Sequence, residues 1–163
     1  MRIFLIFCCY FLGLFADTLE VSAKKFTSDV QKGITELSGE VLVIRGEDRL
    51  WADQVIIETN KKRQPQKYTA TGNVRFYAKL PDKEVRGQAK KAIYDVQKDE
   101  YQFIDSASIE EVGNKNLITG NLIVFNMKTQ EASVRGSSHR PGVITFTMDS
   151  IKSSNPPAQK ESQ

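Results

Sequence analysis

Residues 89–98 read AKKAIYDVQK and residues 23–32 read AKKFTSDVQK, so the chain writes one frame twice, sixty-six residues apart. In the second copy Tyr94 and Val96 straddle Asp95, the period-two alternation of a strand with one apolar face. A repeated strand frame predicts a repeated architecture.

Two interleaved series give the size of the unit. Gly39 with Val41 and Val43, Gly72 with Val74 and Phe76, and Ser106 with Ser108 or Ile109 open alternating stretches 33 and 34 residues apart. Leu50–Ala52, Val85–Gly87 and Ile118–Gly120 form a second series, offset by 35 and 33. Each unit therefore holds one hairpin, with a strand from each series, and the echo spans two units. Segments such as EVLVI, YTATGNVRFYAKL, AIYDV, NLIVFNM and VITFTM are rich in β-branched and aromatic residues and are separated by turn-forming clusters. No stretch sustains a capped helical period, which excludes the helical repeats of similar length. The fold class is all-β. One hairpin cannot bury its apolar face alone, so the hairpins must share an interior, as a rolled antiparallel jelly roll or a short solenoid.

Alternation also sorts the faces. Val74 and Phe76 point inward around Arg75, and Val41 and Val43 do so in a strand whose Leu42 and Ile44 predict cover on the other face as well. Leu19, Val21 and Ala23 begin the inward row, which Leu50, Ala52, Val85, Gly87, Ile118 and Gly120 extend. Its small members leave room for a neighbouring backbone or a ligand. Pattern alone admits two interiors, a packed core or a slightly open roll holding an elongated apolar ligand. Trp51 is expected on the outside.

The ends differ from this middle. Residues 1–16, MRIFLIFCCYFLGLFA, place one positive charge before a short apolar run and a small residue, the layout of a secretory signal peptide. The run is shorter than the roughly 20 apolar residues of a membrane span. Cleavage after Ala16 removes Cys8 and Cys9, so the folded domain, 17–151, holds no cysteine for disulfides or thiolate chemistry. Residues 152–163, KSSNPPAQKESQ, form a polar disordered tail. Without Arg2, 22 basic residues face 20 acidic ones, a balance that argues against nucleic acid as partner.

Catalytic means are sparse. His139 is the one histidine and lies in a loop-like stretch, and no nucleophile motif surrounds a serine. Neither zinc nor calcium spacing occurs, so no metal or other cofactor is expected. Glu110 and Glu111 are strand neighbours on opposite faces, hence solvated rather than an acid/base couple. Lys24–Lys25 and Lys90–Lys91 recur in register, either as edge charge that discourages aggregation or as an attraction for phosphate near the mouth of the roll. The reading is of a protein that is not an enzyme.

LEVSAKKFTSD (19–29), SGEVLVIRGEDRLWADQVII (38–57), ATGNVRFY (70–77) and VRGQAKKAIYDVQKDEYQF (85–103), in this order and spacing, resemble the OstA-like (LptA) family of periplasmic lipopolysaccharide-transport proteins. The resemblance covers residues 19–135. It implies a twisted, open antiparallel β-jelly roll of repeated hairpins and a periplasmic protein that carries lipopolysaccharide from inner to outer membrane, sheltering its acyl chains inside the roll. It further implies edge-to-edge self-association and contact with inner-membrane LptC-like and outer-membrane LptD-like components. Its lipid-facing positions here are Leu19, Val21, Val74, Phe76, Tyr94 and Val96; Val41, Val43, Leu50 and Ile118 follow through the internal repeat. Two features depart from the pattern, Leu14 at the minus-three position of the cleavage site and the basic insertion NKKRQPQK (60–67), expected to lengthen a loop. Two other readings stay open: a membrane-anchored LptC-like partner with the leader retained, and a carbohydrate-binding or structural β-domain with a filled core.

Overall fold

The computed structural model describes residues 19–147. The expected leader at 1–16, the tail at 152–163 and the outer ends of the 17–151 domain lie outside them. The described residues form ten strands in one antiparallel sheet: β1 (Leu19–Ser22), β2 (Lys25–Asp29), β3 (Ile34–Arg45), β4 (Asp48–Thr59), β5 (Pro65–Lys79), β6 (Glu84–Asp95), β7 (Glu100–Glu111), β8 (Leu117–Asn126), β9 (Glu131–Arg135) and β10 (Val143–Thr145). From β3 to β8 each strand pairs with its successor; β1 and β2 share the free edge of β3, and β9 and β10 share that of β8.

Every one of the five central pairings shifts register near mid-strand, after Ser38, Trp51, Thr71, Gln88 and Ile104. These irregularities lie side by side and draw a line across the sheet. On the odd-numbered strands the line is made by consecutive left-handed residues: Gly39 and Glu40 at φ 81° and 49°, Gly72 and Asn73 at 77° and 48°, Asp105 and Ser106 at 62° and 53°. The repeat is therefore 33 residues in both steps, with Asp105 rather than Ser106 in the glycine position. An aspartate tolerates the left-handed region better than most side chains. Bulges of this kind bend a strand and sharpen its twist.

Ring distances show that the sheet bends on itself there. Phe76 shares a cross-strand row with Gly87 and Ile109. In a flat sheet Phe103, six residues before Ile109, would lie about 20 Å further along. Its ring centroid is instead 4.6 Å from that of Phe76. The two halves of each long strand face one another across a wedge, giving a twisted, open β-jelly roll rather than a solenoid.

Side-chain size follows the wedge. Beside the fold line sit Ala52, Ala70, Ala89, Ala92 and Ala107, all buried, with Leu37, Val41, Val55, Val74, Phe103 and Ile123. Farther out come Val21, Val43, Leu50, Phe76, Tyr101, Ile109 and Ile118, packed on this core but only partly buried. Hydrogen bonds pin the line from outside: Asn73 Nδ2 donates to Asp53 Oδ2 at 2.9 Å, and Lys24 Nζ to Glu40 Oε1 at 2.6 Å.

The echoed frames occupy one architectural position. β1 and β2 lie on β3 as a single strand interrupted at Ala23–Lys24, and they match β6 two hairpins later: Val21 with Gly87, Ala23 with Ala89, Phe26 with Ala92 and Ser28 with Tyr94. The second series needs a correction. The row of Leu50 runs through Gly87 to Ile118, so Gly87–Ala89 holds the place expected of Val85–Gly87. Four residues, 80–83, join β5 to β6 where two, 46–47, join β3 to β4, and the longer turn carries β6 past the strict repeat; residues 60–64 form the β4–β5 turn, where the Asn60 N–H donates to the Gln64 carbonyl. Leu42 and Ile44 are not covered by a second layer; Leu42 lies beside Trp51 on the outer face, where the Arg75 guanidinium sits 5.7 Å from the Trp51 ring.

Gly72 tests the fold line most directly. A Cβ built there would come within 2.8 Å of the Asp53 side-chain carbons, at a φ of 77° that few L-residues adopt. Gly72→Val is expected to lower stability by about 1–3 kcal/mol, read as a lower urea midpoint, whereas Gly46→Ala, where a Cβ meets nothing within 4 Å, costs less.

Candidate lipid-binding interior

The inner face outside the corner is apolar yet unsealed. Val21, Val43, Leu50, Phe76, Gly87, Ile109 and Ile118 form one continuous row across seven strands. Gly87 is small for a reason the geometry supplies. A Cβ on it would come within 2.5 Å of the Phe76 ring, which leans across β6 to stack on Phe103.

On the facing half, cross-strand register sets Tyr68, Tyr94 and Tyr101 side by side. Tyr94 and Tyr101 stack with centroids 4.3 Å apart, Tyr68 and Tyr94 at 6.2 Å, and Tyr101 lies 6.5 Å from Phe103. With Phe76 these rings make a five-membered aromatic ladder that climbs from the apolar wedge to its mouth. Aromatic pairs of this kind add about 0.5–1.5 kcal/mol each beyond the area they bury. The rim carries charge. Arg45, at the end of β3, lies 3.6 Å from Asp48 Oδ2, and the Tyr94 hydroxyl donates to Asp99 Oδ1 at 2.8 Å.

The positions expected to face lipid fall into three groups. Val21, Val43, Leu50, Phe76 and Ile118 lie partly buried on the open row, and Tyr94 belongs to the ladder. Val41 and Val74, each 1% exposed, are sealed beside the fold line and serve its packing. Leu19 is exposed at the outer end of β1 opposite Arg45, and Val96 lies one residue beyond β6, where its N–H donates to the Gln66 carbonyl at 3.0 Å. Sequence reasoning missed Tyr68, Tyr101 and Phe103. Their signal is the cross-strand register, which follows only once the bulges are placed.

The remaining candidates are outside this interior. Lys24 pairs with Glu40 at the corner and not at the mouth. Glu110 pairs with Arg86, and Glu111 accepts from Asn114 and Asn116. His139 is exposed in the loop between β9 and β10. Among the described residues no group of three or more His, Cys, Asp or Glu is disposed to hold a metal, and no helix is long and apolar enough to cross a membrane. A shallow depression of about 430 Å³ lined by Asn73, Arg75, Gln88, Lys90 and Ser106 sits over the corner, away from the ladder.

Burial, and then the bond to Asp99, push the Tyr94 hydroxyl from 10.0 up to about 12. Burial raises Tyr101 and Tyr68 as well, with Arg45 opposing in both. A phenol raised on folding keeps its proton longer in the native chain than in the unfolded one. Its contribution to stability is therefore whole below the unfolded value and lost as pH rises through the folded one. Stability should fall between pH 10 and about 12, and Tyr94→Phe should flatten that fall and remove one late transition from the tyrosinate absorbance titration.

Over residues 20–131 the chain matches the family model described as the LptA/(LptD N-terminal domain) LPS transport protein. Solved structures also resemble it, among them the crystal structure of LptH, described as the LptA homologous periplasmic component of the conserved lipopolysaccharide transport device from Pseudomonas aeruginosa. That match has a TM-score of 0.69 at 20% identity and covers 80% of this chain and 96% of that one; at such identity it speaks for the fold alone. No curated protein matches in sequence.

Proposed function

The chain belongs to the LptA/LptD N-terminal-domain family of lipopolysaccharide transport proteins, and from that membership we propose that it is a periplasmic bridge protein carrying lipopolysaccharide from inner to outer membrane. The observation that supports this is the unsealed apolar row: Val43, Leu50, Phe76, Ile109 and Ile118 lie on the inner face of the sheet and yet keep part of their surface exposed. A filled structural core would seal them. Acyl chains laid along the row would remove that surface from water, worth roughly 25 cal/mol per Å², while the sugars stay in solvent at the mouth. Binding needs no covalent step.

The edges fit the transport role. At one end of the sheet β1 and β2 expose Leu19 and Phe26, and at the other β10 exposes Val143 and Ile144, followed by Phe146. Edge strands with exposed apolar side chains are sites for strand addition. Edge-to-edge self-association, and docking to inner-membrane LptC-like and outer-membrane LptD-like components, would extend the inner row from one domain to the next.

Leu50 and Trp51 are neighbours on opposite faces of β4. A photoreactive amino acid at Leu50 should capture lipopolysaccharide in cells, and the same group at Trp51 should not. Equal capture at both positions, or none at Leu50, would sink the assignment of the inner face.

A further inference from the structure

We propose that the depression over the outer side of the corner is a binding site for a sugar that carries an acidic group, with Arg75 and Lys90 meeting the acid and Asn73, Gln88 and Ser106 the hydroxyls. Arg75 and Gln88 stand in the outer-face row of Leu42 and Trp51, so the site lies on the opposite side of the sheet from the wedge and goes beyond the lipid-binding reading.

The bulges make the depression. Asn73 on β5 and Ser106 on β7 are the second residues of two left-handed pairs, at φ 48° and 53°, and between them Lys90 is the one residue of β6 with no cross-strand partner on either side. Backbone held in this way costs energy, and bulges serve to re-aim side chains at binding sites. The depression holds about 430 Å³ above a floor of Val74 and Ala89, both buried, within the roughly 300–1,000 Å³ of small-molecule sites.

The internal repeat indicates what such a slot accepts. One hairpin earlier Asp53 holds the place of Lys90: Ala52 pairs with Val41 as Ala89 pairs with Val74, and Asp53 follows, likewise without a cross-strand partner. That slot is closed from within, because the Asp53 carboxylate accepts from Asn73 Nδ2 at 2.9 Å. In the second slot a cation stands where the first has its carboxylate, and the slot is open. Among the described residues Arg75 and Lys90 enter no ion pair, and the Arg75 guanidinium is steadied 5.7 Å from the Trp51 ring. No carboxylate lines the depression; Asp105, next to Ser106, is outside it. An anion is therefore the complementary partner, and a planar guanidinium suits two oxygens of a carboxylate or phosphate. Asn73, Gln88 and Ser106 can each donate and accept, as sugar hydroxyls do, and a bare anion would leave them unused.

Amide NMR of isotope-labelled protein, titrated with glucuronate, a hexose phosphate, glucose and inorganic phosphate, tests the site. At least one acidic sugar should shift the amides of Asn73, Gln88, Lys90 and Ser106 saturably, in the roughly millimolar range of a shallow polar site, and the tighter of the two identifies the acid. Glucose and inorganic phosphate should each bind about tenfold more weakly. Arg75→Gln and Lys90→Gln should each weaken binding of the acidic sugar about tenfold, and Lys90→Asp, which gives the second slot the residue of the first, should abolish it. Lys61→Gln, on the exposed β4–β5 turn, should change nothing. Lys90 is exposed, so its variants keep the proposal testable if Arg75→Gln unfolds. Unmoved amides at the four positions, glucose bound as tightly as the acidic sugars, or Lys90→Gln binding like wild type overturns the site. Inorganic phosphate bound as tightly as either acidic sugar overturns the saccharide and leaves an adventitious ion only. None of these outcomes bears on the lipid reading, which is decided at Leu50.

Discussion

A sheet of strands ten to fifteen residues long can bury one of its faces only by bending on itself, and the rest of this structure depends on where it bends. The bend is set by backbone. Pairs of left-handed residues recur every 33 positions, at Gly39–Glu40, Gly72–Asn73 and Asp105–Ser106, and the strands between them shift register at the same level. Because the irregularities are aligned across β3 to β8, the sheet folds along one line instead of twisting apart strand by strand.

From that line follow the gradient of side-chain size and the openness of the interior. Near the corner the two halves approach closely and alanines fit; two rows away the gap admits Phe76 over Gly87 and Phe103. In that same row Leu50, Ile109 and Ile118 remain only half-buried. The corner thus holds the fold, and the mouth is left with apolar surface that a lipid chain would complete. The exposed ion pairs on the outer face, such as Lys67 with Glu58 and Lys79 with Glu47, contribute little to stability, as exposed pairs generally do.

Much of this was legible in the sequence, and the limits have physical causes. The hairpin unit and the echo of residues 23–32 at 89–98 were readable because turn residues and alternation are local. The inward assignment of Val43, Leu50 and Phe76 holds because each lies in one unbroken stretch with its reference residues. Period-two reading fails across a bulge, where one extra residue exchanges the faces. That concealed the strand of Tyr101 and Phe103, which lies ahead of its bulge at Asp105, whereas the second series, read at Val85–Gly87, is on the correct face but two residues early, because the length of the β5–β6 turn is not written in the alternation.

The account stands on the claim that the half-buried inner row is a lipid surface. Methyl-labelled protein bound to lipopolysaccharide, examined by NMR for contacts between methyl groups and acyl-chain protons, tests it most directly. Contacts from Leu50, Ile109 and Ile118, with none from Leu42, Ile44 or Ile93 on the outer face, are the predicted result. Acyl contacts confined to the outer face or to the sheet edges, with the inner methyls silent, would contradict it.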